Sequence, residues 1–347
     1  MTFTIGVGTE KGGYLLRTND RRAFSVTGPL FAGWKVNAFG RASDGTFLAG
    51  VGSSWFGAAV HRSKNLENWE QVVEGPRWPE GSDRKLKQIW TFHLAGQRLY
   101  AGVDEAGLFA SDDYGLTWQP VDALNEHPSR KSWFPGAGGM CAHRILSDRG
   151  RLWVGISAVG VFRSDDVGAT FERKDDGVPP TVDPGTEGVD EAGWCVHNLS
   201  ADPANPDRIW RQDHRGVFRT NDGGDRWERI ENGLPSGFGF VMARDRASGR
   251  LFTVPLEADT NRLPVAGRLA AYHSDDDGDS WHVSGTGWPA AETFTGVLRG
   301  AVDTDDRGGL AFGTTAGKVW TTFDAGDSWS ELPFTFPRVN AMAVLES

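Results

Sequence analysis

Histidines recur at matching places along the chain. Phe92-His93, Ala142-His143 and Val196-His197 each sit in a short, mostly apolar run, and Val36-Asn37 and Val339-Asn340 fall in the same column, with Phe240 and Leu298 in its two remaining places. Imidazoles from three neighbouring units could converge on Zn²⁺ or Cu²⁺, making His93, His143 and His197 a candidate metal set. Two residues earlier, on the same strand face, stand Thr91, Cys141 and Cys195, so a thiol is a soft ligand or a bystander. The competing explanation is a polar column hydrogen-bonded between units, which Asn37 and Asn340 suggest. No compact ligand motif such as HExxH supports the metal.

Carboxylates form a second group. Asp104 and Glu105 lie between two strand-like runs, Asp213 in the matching loop two units on, and Glu187, Asp190 and Glu191 in the long connection between them. Glycoside hydrolysis needs two carboxyls, ~5 Å apart for retention or ~6.5–9.5 Å for inversion. Asp104, Asp190 and Asp213 are therefore candidate acids and bases, with His143 or His197 as an alternative base. A solvated acidic rim explains the same residues in a chain of net charge −10. Trp55, Trp78, Trp90, Trp133 and Trp194 are candidate platforms for sugar faces, and about half of them are expected in the core instead. Arg84, Lys85 and Arg130 are candidate partners for a ligand carboxylate or phosphate, and His214 adjoins Asp213.

These residues are positioned by a repeat. Ser111 to Trp118 (SDDYGLTW) has relatives at Ser164 (SDDVGATF), Thr220 (TNDGGDRW), Ser274 (SDDDGDSW) and Thr322 (TFDAGDSW). Shortened copies without the glycine start at Thr18 (TNDRRAF) and Ser63 (SKNLENW), which makes seven. The motif reads as a turn: the third-position Asp accepts from nearby backbone N–H groups, Gly takes a positive φ, and the aromatic residue covers the turn. Calcium binding is the less favoured reading, because the loop is short and its Asp is already used. Around each copy lie four strand-like runs, as in Gln88 to Leu94, Arg98 to Gly102, Gly107 to Ala110 and Trp118 to Val121. A period of about 50 residues with four strands per unit predicts an all-β, seven-bladed β-propeller spanning 1–347 as one domain. The N-terminus lacks a first strand and the C-terminus ends on a spare one, Val339 to Val344, so that strand is expected to complete the first blade.

The repeats resemble the Asp-box (BNR) propellers, a superfamily of sialidases, xyloglucan-active glycosidases, sortilin-type receptors and photosystem II assembly factors. The resemblance covers nearly the whole chain. It implies a propeller and leaves hydrolase, receptor and assembly roles open. A true sialidase is not expected: the Phe-Arg-Ile-Pro segment with the first arginine of that branch is missing. Tyr14, Tyr100, Tyr114 and Tyr272 do not match its catalytic tyrosine.

Four long segments interrupt the repeat, Gly75–Gln88, Asp122–Gly138, Asp176–Gly193 and Pro255–Leu269, and all are expected on the face opposite the boxes. Long loops on a rigid scaffold carry function. The acidic balance argues against nucleic acid or an anionic membrane as partner. No run approaches the ~18 apolar residues of a membrane span. The first residues lack a basic and apolar leader, so a cytoplasmic protein or a mature form is expected. Cys141 and Cys195 are expected as free thiols. The functional expectation is a small-molecule or glycan ligand on the long-loop face, handled by a glycoside hydrolase or uronate lyase. The lyase would use Arg84, Lys85 and Arg130 to neutralise the uronate and an imidazole as base. The alternatives are a metal-dependent enzyme on the three histidines and a non-catalytic binding or assembly factor with a protein partner.

Overall fold

Asp113 shows why the repeated motif turns the chain. In the computed structural model, which describes residues 2–53, 55–136, 139–181, 193–305 and 307–346, its Oδ1 accepts from the N–H groups of Leu116 (3.1 Å) and Thr117 (2.9 Å). Its Oδ2 accepts from Thr117 Oγ1 at 2.7 Å, and Ser111 Oγ accepts from the Gly115 N–H at 2.9 Å. Gly115 takes φ 83°, which only glycine adopts freely, and Trp118 Nε1 donates to its carbonyl at 3.1 Å. Asp166, Asp222, Asp276 and Asp324 accept in the same way from the N–H four residues on. The Thr170 hydroxyl and N–H hold the Asp166 carboxyl down at about 2. In the shortened copies Asp20 and Asn65 keep the turn by accepting from the N–H groups two and three residues on.

Each turn joins the third and fourth strands of a four-stranded antiparallel sheet, and there are seven such sheets. The fold is a seven-bladed β-propeller. Among the described residues, no helix is long and apolar enough to cross a membrane.

The chain divides into two compact units. Residues Gly33–Asp175 and Pro179–Val196 hold three blades, with inner strands Lys35–Arg41, Ile89–Ala95 and Ala142–Asp148. Their cores are an Ile89, Leu99, Phe109 and Trp118 cluster and an Ile145, Leu152, Val154 and Phe162 cluster. The other unit, Met1–Ala32, Asp176–Val178 and His197–Ser347, contains the blade completed by the chain's end. There Val339–Glu346 pairs antiparallel with Phe3–Thr9, through Ile5↔Val344 and Val7↔Met342, supplying the strand that the N-terminus lacks.

The inner strands share a bulge. On Lys35–Arg41 the register jumps from Val36↔Val51 to Ala38↔Gly50, which leaves Asn37 unpaired in the ladder. Equivalent jumps isolate Trp90, between Ile89↔Val103 and Thr91↔Gly102, and His143, between Ala142↔Ile156 and Arg144↔Gly155. In the first blade the bulged residue is Asn340. The column expected to hold His93 therefore holds Trp90. His93 pairs with Tyr100, where Leu146 pairs with Trp153 and Gly40 with Leu48. A bulge re-aims a side chain, and it occupies one place in the pairing that a visual alignment does not see.

Candidate functional site

Asp104 stands in the hairpin between strands Arg98–Val103 and Gly107–Ser111. The hairpin is held from three sides. Asp104 N–H donates to Gln88 O at 3.0 Å and Ala106 N–H to Met140 O at 2.8 Å, while Arg130 donates through Nη2 to Glu105 O and through Nη1 to Ala106 O, both at 2.6 Å. Gly107 must be glycine, because a Cβ there would meet Trp78 Cη2 at 2.5 Å.

The Asp104 carboxyl faces Gly139, whose Cβ would stand 3.5 Å from its Oδ1, and it accepts a hydrogen bond from the Cys141 thiol. Burial pushes it up to about 6, against the pull of Lys87 and Lys35 and with the help of the Glu105 charge. Glu105 itself is ion-paired with Lys87, whose ammonium is raised by that hydrogen bond. An acid of this kind keeps an appreciable protonated fraction near neutrality, which is what a general acid requires.

Beside Lys35 stands an aromatic shelf. Trp34 stacks on Phe56 with ring centroids 5.5 Å apart and planes at 29°. Trp55 and Phe56 are 88% and 80% exposed, and Ser53 Oγ accepts from both of their N–H groups, at 3.3 and 3.1 Å. Two consecutive large rings this bare are unusual on a surface with no partner. Trp55 and its chain neighbour Phe56 stand together in the sequence as an expected aromatic pair, while Trp34 joins through its stacking on Phe56, a contact that only the fold creates.

Other expected site residues are engaged elsewhere. Asp213 and Arg211 are both fully buried; Arg211 donates through Nε (2.9 Å) and Nη2 (2.6 Å) to Asp213 Oδ2, and Arg215 N–H donates to Oδ1 at 3.0 Å. Asp213 is thus an internal ion pair and no acid or base for a substrate. Arg84 donates to Asn125 O at 2.9 Å, pairs with Glu126 and lies 4.2 Å over Trp78. Arg130 lies 4.7 Å over Trp133. Trp78 and Trp133 are core residues at 9% exposure each, so the expected uronate clamp is a set of loop fasteners with only Lys85 left exposed. Arg173 covers half-buried Trp194 at 4.9 Å. Asp190, with Glu187 and Glu191, lies outside the described residues.

The three histidines do not converge. His93 Nε2 meets Ser147 Oγ at 2.8 Å, buried His143 Nε2 donates to Val196 O at 2.8 Å, and buried His197 Nδ1 donates to Gly239 O at 2.6 Å. Each reaches the next inner strand or its approach, as the polar-column explanation requires, and His143 and His197 are thereby poorly placed as substrate bases. Beside His197 stands His214, ring centroids 5.7 Å apart, with Cys195 two residues before it in the chain. Both cysteines are free and buried.

No family model and no curated relative matches the sequence. Solved structures do. A Lactobacillus plantarum protein covers 100% of both chains at 13% identity with a TM-score of 0.61. YCF48 from Cyanidioschyzon merolae matches at 11% identity and TM-score 0.56, over 86% of this chain and 85% of its own. The chain has the propeller fold of these proteins. An ancestral GH74 enzyme gives 13% identity and TM-score 0.53 over 86% of this chain, which spans 38% of that enzyme. At such identities the likeness is one of fold.

Proposed function

We propose that the chain is a carbohydrate-active protein that holds a glycan against Trp34, Trp55 and Phe56 and uses Asp104 as a proton donor to a glycosidic oxygen. The observation that carries this reading is the Asp104 carboxyl, raised to about 6 by burial and within electrostatic reach of Lys35, the chain neighbour of the exposed ring Trp34. Glu105, ion-paired with Lys87 and next to Asp104 in the chain, is the candidate for the second carboxylate. Hydrolysis is favoured over uronate elimination because Arg84 and Arg130 are spent on holding loops.

The test is a turnover screen on soluble oligosaccharides. Asp104→Asn should lower kcat by about 10²–10⁴ with the fold intact, and wild-type activity should fall as pH rises above about 6. Unchanged turnover in Asp104→Asn would remove the assignment. A second reading follows from the same bare rings, which also suit an apolar protein segment; YCF48 bound to D1 peptide has this fold at TM-score 0.53. A flat glycan screen together with a stable protein in pull-down, lost in Trp55→Ala, would select it.

A further inference from the structure

Cys195, His197 and His214 come together within one blade, the sheet of Val196–Ala201, Ile209–Asp213, Gly216–Thr220 and Glu228–Arg229. Cys195 immediately precedes the inner strand and His197 follows it by two, the spacing that keeps side chains on one face of an extended chain. His214 sits in the hairpin between the second and third strands. That hairpin is pinned by Asp213, which accepts from the Arg215 N–H at 3.0 Å and is itself held by the buried Arg211. The Cys195 sulfur and one ring nitrogen from each histidine lie within 4.8 Å of one another. Around a tetrahedral Zn²⁺, with bonds of about 2.0–2.3 Å, such donors stand about 3.3–3.6 Å apart, so side-chain adjustments of about 1 Å close the set.

Two of the donors are already oriented by outer partners. His197 Nδ1 donates to Gly239 O at 2.6 Å, which fixes the tautomer and makes Nε2 the lone-pair nitrogen. A backbone carbonyl on the second ring nitrogen is the usual outer partner of a metal-ligating histidine. Ser157 Oγ lies 3.3 Å from Cys195 Sγ, in place to donate to a thiolate, and the Cys195 N–H donates to Thr181 Oγ1 at 3.2 Å. Phe240 packs on the His197 ring at 4.3 Å and Phe238 on the His214 ring at 5.4 Å, which makes an apolar wall. We infer that Cys195, His197 and His214 bind one Zn²⁺, through one thiolate and two neutral imidazoles, with a fourth position open to water or a ligand. Thiolate and imidazole suit zinc, whereas the hard cations Mg²⁺ and Ca²⁺ take oxygen ligands. None of these residues takes part in the glycan reading, so the two stand or fall separately.

The test uses the full chain, stripped with chelator and titrated with Zn²⁺ against a chromophoric competitor. Wild type should take up one Zn²⁺ per chain at about 1 μM or below, and its Tm should rise with zinc. Co²⁺ in place of zinc should give the sulfur-to-metal charge-transfer absorption that a thiolate ligand produces, a readout that needs no variant. Cys195→Ala and His214→Ala should each weaken zinc by more than the ~10–100-fold that loss of an outer partner costs, and Cys195→Ala should abolish the cobalt band. His282→Ala, on the exposed strand His282–Val283, should change neither. Uptake of no zinc by wild type, a cobalt complex without the charge-transfer band, or wild-type affinity in either site variant would overturn the site. An equal loss in His282→Ala would also overturn it.

Discussion

Replacing Asp104 by Asn should stabilise the protein, and only at the higher pH values. The carboxyl is raised from 3.8 to about 6 by burial. A folded-state pKa above the unfolded one means that the native state binds the proton more tightly. The resulting stability is fully present below about 4 and is lost as pH rises through about 6. Two units correspond to about 3 kcal/mol at 1.36 kcal/mol each. The side chain is only partly buried, so solvent screening reduces this to ~1.5 kcal/mol. The amide keeps the shape and an acceptor for the Cys141 thiol while removing the charge. At pH 8 the variant should therefore melt ~2 °C above wild type, and the gap should close towards pH 4. Scanning calorimetry of both proteins across that range checks it, because the difference cancels the other titrating groups they share. Equal Tm at pH 8, or a gap that does not change with pH, would refute the assignment of a raised carboxyl.

Two further outcomes follow from the packing. Asp213→Asn should cost about 3–5 kcal/mol, because it strands the fully buried Arg211 charge, while the double change Arg211→Met with Asp213→Leu should be nearly neutral; denaturant melts distinguish these, and a mild Asp213→Asn would deny the buried pair. Deleting residues 339–347 exposes the partners of buried Val339, Met342 and Leu345, about 2 kcal/mol each and ~6 kcal/mol together, and leaves Phe3–Thr9 as an open edge. Thermal unfolding at the wild-type temperature would refute that role.

Much of the fold was legible because its punctuation is local. The Asp-box turn is settled within eight residues: Asp113 bonds N–H groups three and four positions on, and Gly115 supplies the φ. Seven copies at one period then fix the blades, and a strand missing at one end and spare at the other gave the pairing of Phe3–Thr9 with Val339–Glu346. The Asp104 hairpin was visible for the same reason, as the second-to-third-strand loop of a recognisable unit.

The site needed contacts between residues far apart in the chain. The unpaired residue at Trp90 shifted the column away from His93, and a bulge depends on the partner strand's register. Asp213 looked like a loop acid until its burial with Arg211 was seen, although the spacing of two on a strand does place both side chains on one face. Arg84 and Arg130 are basic in composition but spent on carbonyls and a carboxylate of distant loops. The pattern of turn residues by itself determined that this chain forms a seven-bladed propeller. Only the tertiary structure decided which polar side chains are left for a ligand, because burial, ion pairing and bulge register are set by neighbours that no single stretch of sequence contains.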